Sequence, residues 1–231
     1  MKIWRFFSSL LLIIALIVTG FELFRSGAFA FQSCSNSMYA GFLWFAAGMV
    51  IYKLAEKMFF RKNIDIMQTM SHEGAHMLVN GLFLRRKIYE FSAKASETMR
   101  YGDNTLGYVS HNSKNVNIFS TLAPYMFPYI TFALLLFRMM IKPQCLPVID
   151  VIIGFSMMFY IGCWIKDTRR DQPDLKACGV LRSYLFIFTF HFFNLAIILY
   201  SLSGGLREPV NIVYANGHYF SQLWKDILML F

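Results

Sequence analysis

The chain has 231 residues, of which 57% are hydrophobic and 15% are charged. Soluble domains average about 45–50% apolar and about 25% charged residues, so this composition is typical of a helical membrane protein and argues against a soluble globular fold. The formal net charge is +9. The basic residues lie between apolar segments, without the basic and aromatic runs of a nucleic-acid surface. We therefore expect contact with a lipid bilayer and no nucleic acid.

The first two apolar segments cover 6–24 and 38–60. Each is close to the roughly 20 residues that a helix needs to span hydrocarbon. The first resembles a signal sequence, and Ala28-Phe29-Ala30 resembles a small-residue cleavage site. That site lies far beyond the apolar core, so we expect an uncleaved transmembrane helix.

The third apolar segment, 65–84, contains the motif H-E-x-x-H as His72-Glu73-Gly74-Ala75-His76. Residues four apart share one face of a helix, so His72 and His76 can offer two imidazole nitrogens to one metal ion. Glu73 can then deprotonate a water molecule without being a ligand itself. Ionisable groups at membrane depth are costly and indicate function. The alternative is a helix whose polar side chains only form hydrogen bonds to its neighbours.

A polar stretch, 85–116, follows the motif. Residues 88–92 alternate apolar and polar side chains, turn residues follow at 102–107, and 108–110 could return as a second strand. The pattern predicts a small β-hairpin beside the third segment, whose edge could hold an extended peptide. An ordinary surface loop is the alternative.

Three more apolar segments follow at 117–141, 147–165 and 183–202. The distribution of Lys and Arg leaves two arrangements for the third segment: it is re-entrant, or it crosses fully with the N-terminus outside. Both arrangements put 85–116 and 166–182 on the cytoplasmic side. A further ligand for the two histidines is therefore expected in one of these loops.

Catalytic zinc normally takes three protein ligands and leaves a fourth position for water. The stretch 166–175 contains three aspartates just before the last apolar segment, namely Asp167, Asp171 and Asp174. We favour Asp174, which follows Pro173 near the start of the final helix, and Asp171 is the alternative. All three could instead pair with basic neighbours at the surface.

Other polar residues compete for roles at the same place. His111 in the polar loop and His191 in the last apolar segment are the competing imidazole donors, but a carboxylate also offsets the charge of the dication. A peptidase needs a donor that stabilises the oxyanion. Asn80, Asn112 and His111 remain open for this role.

These features together resemble the site-two-protease-type intramembrane zinc metallopeptidases, including their small bacterial members. The resemblance covers about 65–180. It includes the H-E-x-x-H motif with Gly81, the hairpin at 87–111, Leu122-Ala123-Pro124 and an aspartate before a later membrane helix. It implies a membrane-embedded zinc site in which His72, His76 and an aspartate bind the metal and Glu73 is the general base. The family's Asp-Gly and Gly-Pro pairs correspond here to Asp174-Leu175 and Ala123-Pro124.

The sequence thus predicts an all-α polytopic protein of the cell membrane, with five to six transmembrane or re-entrant helices and a possible small hairpin. We expect one membrane-embedded metalloprotease domain over 1–231, with N-terminal helices in 1–64, a catalytic core in 65–202 and a C-terminal tail in 203–231. The expected cofactor is Zn2+, and the expected substrate is a membrane protein cut within or near a transmembrane segment. The rival interpretations are a non-catalytic relative that binds membrane partners and a transporter that uses intramembrane histidines.

Overall fold

The computed structural model describes residues 7–21, 36–60, 63–93, 107–111, 117–170 and 172–202. These residues are mostly helical, with one two-stranded antiparallel sheet. The predicted tail, Asn112 and Asp171 lie outside them. In chain order the elements are α1 (Phe7–Phe21), α2 (Asn36–Ala55), α3 (Ile64–Leu78), β1 (Ile88–Ala93), β2 (Gly107–His111), α4 (Ile118–Thr121), α5 (Ala123–Met126), α6 (Tyr129–Met140), α7 (Leu146–Asp167), α8 (Pro173–Cys178) and α9 (Val180–Leu202).

Within the described ranges, two helices are long and apolar enough to cross a membrane. One is α7 with the short 3-10 turn before it, Pro143–Asp167, and the other is α9, Val180–Leu202. The helices α1 and α6 are apolar but shorter. The structure therefore supports a membrane protein, and the larger number of five to six membrane segments stays a prediction.

Two helices continue into a turn of π-helix. The helix α2 continues through Glu56–Phe60, and α3 continues through Val79–Phe83. The predicted segments 38–60 and 65–84 therefore match α2 and α3 with their π-helical ends. Short π-helical turns inside helices are frequent at functional sites, and the second one begins three residues after His76.

The predicted hairpin is confirmed, and the alternative of an ordinary loop is wrong. The strands β1 and β2 are antiparallel, with Phe91 opposite Val109 and Ala93 opposite Gly107. At Gly107 the hairpin packs directly on α3: a Cβ added there would lie 2.7 Å from Cγ of Glu73 and 2.9 Å from Cγ2 of Thr69. Only a glycine permits this approach, so the hairpin covers one side of the motif helix.

The predicted single segment 117–141 is wrong, because the chain forms three short helices there: α4, α5 and α6. Pro124 lies in the first turn of α5, where a proline is tolerated. Phe127, which precedes Pro128, has an extended backbone with φ −121° and ψ 98°. A residue before proline disfavours the helical conformation, and proline has no N–H to donate, so the helix stops and restarts at this point.

The helices α2 and α7 cross with their backbones in contact. A Cβ added at Gly154 would lie 1.9 Å from the carbonyl oxygen of Phe45, and one added at Gly48 would lie 2.0 Å from that of Val151. Small residues at a crossing let two backbones approach closely, which is how helices pack inside membranes. The pair of glycines thus determines how close α2 lies to α7.

A buried ion pair joins α6 to α7 at the end of the bundle where α9 terminates. Arg138 donates to both carboxylate oxygens of Asp150, at 2.6 and 3.2 Å, and also to the carbonyl oxygen of Ser201 at 2.8 Å. Both charged side chains are buried. A buried charge is tolerated when it is paired and hydrogen-bonded in this way, so the pair holds three helices in a fixed arrangement.

Candidate metal centre

The helix α3 brings His72 and His76 onto one face, as the spacing of the motif predicts. It begins after Asn63 and carries Asp65 in its first turn, where a negative charge favours the helix dipole. The centroids of the two imidazole rings lie 5.1 Å apart. The helix alone therefore makes the two imidazoles neighbours, whichever residue supplies a third metal ligand.

Each imidazole has one ring nitrogen engaged by another part of the chain. Nδ1 of His72 lies 3.0 Å from Oδ2 of Asp167, at the end of α7. Nδ1 of His76 lies 2.8 Å from the carbonyl oxygen of Ser120, in α4. Both acceptors favour a proton on Nδ1, so Nε2 is the nitrogen that a metal ion would engage in place of any proton it carries. Histidines that bind metals in proteins are usually oriented in this way.

The two Nε2 atoms face the same carboxylate oxygen. Oδ2 of Asp174 lies 3.8 Å from Nε2 of His72 and 3.6 Å from Nε2 of His76. Two ligands at ordinary zinc distances and a tetrahedral angle lie about 3.3 Å apart. The donor atoms of the three residues all lie within 4.8 Å of one another. The carboxylate oxygen thus lies only a few tenths of an ångström farther from each imidazole nitrogen than two zinc ligands lie from each other.

The environment keeps Asp174 charged. Burial by itself raises the pKa of Asp174, but the hydrogen bonds and charges of His72 and His76 outweigh this effect and hold the net pKa well below its usual range. The hydroxyl of Tyr125 also donates to Oδ2 of Asp174, at 3.1 Å. An ionised carboxylate between two imidazole nitrogens fits a divalent cation with nitrogen and oxygen ligands, and zinc is the ion that such sets commonly hold.

Glu73 lies beside this set and is not a member of it. Its side chain is only 8% exposed because Gly107 of the hairpin packs against its Cγ. It borders the same cavity as His72 and His76. Glu73 therefore borders the same space as the three potential ligands without contributing one of the clustered donor atoms.

The cavity has a volume of about 560 Å3 and is open to the outside. Its walls are α3, strand β2 at 107–109, the end of α4, and the residues from the end of α7 to the start of α8. The loops 85–116 and 166–182, which both predicted topologies put on one side of the membrane, thus border a single opening. Both histidines of the motif border this opening.

The other residues that the sequence suggested for the site differ in where the described part of the chain places them. Asn80 borders the cavity, but its oxygen accepts hydrogen bonds from Arg86 and Ser120, and its amide donates to the carbonyl oxygen of His76. It therefore holds the end of α3. His191 lies against Trp164 and Tyr160 rather than in the set of potential ligands, with ring centroids 4.6 and 5.8 Å away. Strand β2 ends at His111, and Asn112 and Asp171 lie outside the described residues.

Sequence reasoning missed the roles of three residues at this site. Asp167 is one of the three aspartates of 166–175, but no local pattern relates it to His72. Tyr125 and Ser120 lie in the broken segment, and nothing in their spacing connects them to the motif. Each acts through a contact with α3 or α8 that forms only when distant segments pack together.

Replacing Asp167 by Asn tests whether this carboxylate orients His72. The variant keeps the size of the side chain but removes the negative charge opposite Nδ1, so we expect zinc affinity to fall about 10- to 100-fold. A competition titration against a coloured chelator measures the change. The matched control is Asp65→Asn, because Asp65 contacts Lys166 at the start of α3, away from the set of potential ligands. Equal zinc affinity in the Asp167 variant and the wild type would contradict the assigned role.

Comparison of the chain with models of protein families, with curated proteins and with solved structures gives no match. The geometry of the site therefore stands as the basis for its function: two oriented imidazoles, one ionised carboxylate facing both, and a buried glutamate beside an open cavity.

Proposed function

We propose that the chain is a membrane-embedded zinc metallopeptidase, related to the site-two-protease-type enzymes, that hydrolyses a peptide bond within or near a transmembrane segment of a protein substrate. One observation carries the proposal. Both Nδ1 atoms are engaged by fixed acceptors while both Nε2 atoms face Oδ2 of Asp174. Glu73 lies next to His72 in the chain and borders the same cavity. A set of three ligands with a free base beside it is the arrangement of hydrolytic zinc sites.

Location in the cell membrane, with several spans, is supported by the outer surface of the helices. Large apolar side chains with more than half of their surface exposed occur on several helices, for example Leu11, Leu43, Met58, Leu136, Val148 and Leu181. A soluble protein rarely exposes so many, whereas lipid accommodates them. The close crossing of α2 and α7 through glycines also suits a membrane bundle.

Bound zinc would lower the pKa of a water molecule and polarise the scissile carbonyl. His72, His76 and Asp174 would hold the ion, and Asp167 and the carbonyl of Ser120 keep the imidazoles oriented. Glu73 takes the proton from the attacking water and passes it to the nitrogen of the leaving amine. The packing of Gly107 against Cγ of Glu73 restricts this side chain at the border of the cavity.

We expect the substrate to bind to strand β2 in an extended conformation. Its residues 107–109 border the cavity, and an edge strand beside an active site can accept a peptide as an additional strand. A transmembrane helix exposes no free backbone groups, so it must unwind locally before cleavage. Pairing with β2 would satisfy the backbone groups that unwinding releases.

Zinc content tests the metal site directly. The protein is purified in detergent, and the metal is measured by elemental analysis for the wild type, His76→Ala, Asp174→Ala and Asp171→Ala. We expect zinc in the wild type and in Asp171→Ala, and loss of zinc in the other two variants, because these lose a ligand. Loss in Asp171→Ala with retention in Asp174→Ala would move the ligand role to Asp171. A wild type free of zinc after incubation with the ion would end the metallopeptidase proposal.

A further inference from the structure

Tyr125 contacts two of the three potential metal ligands. Its hydroxyl donates to Oδ2 of Asp174 at 3.1 Å, and its ring lies edge-on to that of His72, with the centroids 5.3 Å apart and an interplanar angle of 88°. The residue is 0% exposed. It therefore cannot touch a substrate in the cavity, and any influence on the site passes through Asp174 or His72.

The hydrogen bond from Tyr125 reaches the oxygen that faces both Nε2 atoms. Rotation of an aspartate carboxylate about its terminal bond has broad preferences, so the bond alone does not hold one orientation. Asp174 lies in the first turn of α8, a helix of only six residues, and its side chain is 31% exposed. A donor fixed on the buried side of this carboxylate would select the orientation that points Oδ2 at the imidazoles.

The broken segment fixes Tyr125 itself. Because Tyr129 N–H donates to the carbonyl oxygen of Phe127 and Pro128 has no N–H, the carbonyl groups at the end of α5 lack their usual helical partners. The hydroxyl of Tyr160 donates to the carbonyl of Tyr125 at 2.9 Å, and the amide of Asn194 donates to that of Met126 at 2.6 Å. The helices α7 and α9 thus hold the end of α5 from two sides.

We propose that Tyr125 is a positioning residue for the metal ligand Asp174, held in place by the helix break that follows it. The inference rests on the proposed metal site but not on peptidase activity. Partners that orient a metal ligand typically change metal affinity about 10- to 100-fold when they are removed. The break in 117–141 then has a structural role. It places the hydroxyl of Tyr125 beside Asp174, which lies 49 residues later in the chain.

The test is Tyr125→Phe, which removes the hydroxyl and keeps the ring against His72. Tyr52→Phe is the matched control, because Tyr52 is 1% exposed and its hydroxyl has no hydrogen-bond partner among the described residues. Zinc affinity is measured by chelator competition in detergent, and the visible absorption spectrum is recorded after loading with Co2+. We expect Tyr125→Phe to bind zinc about 10- to 100-fold more weakly, with shifted Co2+ bands. The control should match the wild type in both measurements.

The outcomes separate this inference from the proposed function. Unchanged zinc affinity and an unchanged Co2+ spectrum in Tyr125→Phe overturn the role of Tyr125 and leave the metal site standing. Failure of the wild type and of Tyr52→Phe to bind either ion overturns the metal site itself. If Tyr125→Phe does not fold, Tyr160→Phe decides, because it removes the donor to the Tyr125 carbonyl. Affinity weakened in Tyr160→Phe supports the inference, and wild-type affinity overturns it.

Discussion

The Glu73→Gln variant is expected to bind zinc like the wild type and to lose about 100- to 10,000-fold in the rate of peptide hydrolysis. The amide keeps the size of the side chain, so the packing against Gly107 and the positions of His72 and His76 stay as they are. The amide cannot accept a proton from water, and a positioned general base typically raises the rate about 100- to 10,000-fold. We therefore expect this variant to keep its zinc and to lose its activity, whereas a variant that lacks a metal ligand loses both.

The measurement combines cleavage of fluorescently labelled transmembrane peptides in detergent with elemental analysis of bound zinc. Glu56→Gln is the control, because Glu56 pairs with Lys53 after α2 and lies outside the cavity. Full activity of Glu73→Gln would contradict the assigned base and favour a protein that only binds membrane partners. A flux of metal ions or protons through reconstituted vesicles that depends on His72 would favour the transporter interpretation instead.

The Gly154→Ala variant is expected to be destabilised by about 3 kcal/mol, the upper part of the range for overpacked cores. The new methyl would lie 1.9 Å from the carbonyl oxygen of Phe45 and 2.8 Å from its carbon. Both contacts are with backbone, which cannot rotate away as a side chain can. The helices α2 and α7 must therefore separate along their crossing. Unfolding by sodium dodecyl sulfate in mixed micelles, followed by circular dichroism, measures the change.

Gly162 provides a control on the same helix. A Cβ added there meets nothing closer than 3.9 Å. Alanine favours a helix over glycine by up to about 1 kcal/mol, so Gly162→Ala should be neutral or slightly stabilising. A Gly154→Ala protein that unfolds together with the wild type would show that the close crossing does not contribute to stability.

The prediction of the fold from the sequence succeeded where the signal is local. The alternation of apolar and polar side chains at 88–92 and the turn residues before 107 predict a hairpin. The strands β1 and β2 form this hairpin. Long apolar runs describe helices, and α2, α7 and α9 lie within a few residues of the predicted segments. The apolar composition of 117–141 predicts one continuous segment, and that prediction gives no weight to Pro124 and Pro128 as helix breakers. Pro128 interrupts the helix, and partners from α7 and α9 satisfy the freed carbonyls.

The sequence alone could not distinguish Gly154 from Gly162. Both are glycines in one apolar helix, and they differ only in what α2 brings against them. The same applies to the aspartates before the last helix. Asp167 is at 3.0 Å from Nδ1 of His72, whereas Asp174 faces the opposite, Nε2 side of both rings. Residue type and spacing favoured Asp174 as the ligand, but they could not assign Asp167 to its place behind His72.

By itself, the sequence determined the features that depend on helix periodicity and composition: an apolar helical chain, two histidines on one helix face and a glutamate beside them. Only the tertiary structure decided what surrounds these residues. Asp167 follows His72 by 95 positions, Ser120 follows His76 by 44, and Tyr125 precedes Asp174 by 49. Local geometry repeats every few residues and can be read along the chain. Contacts between distant segments depend instead on how close two backbones can approach and on where a helix breaks.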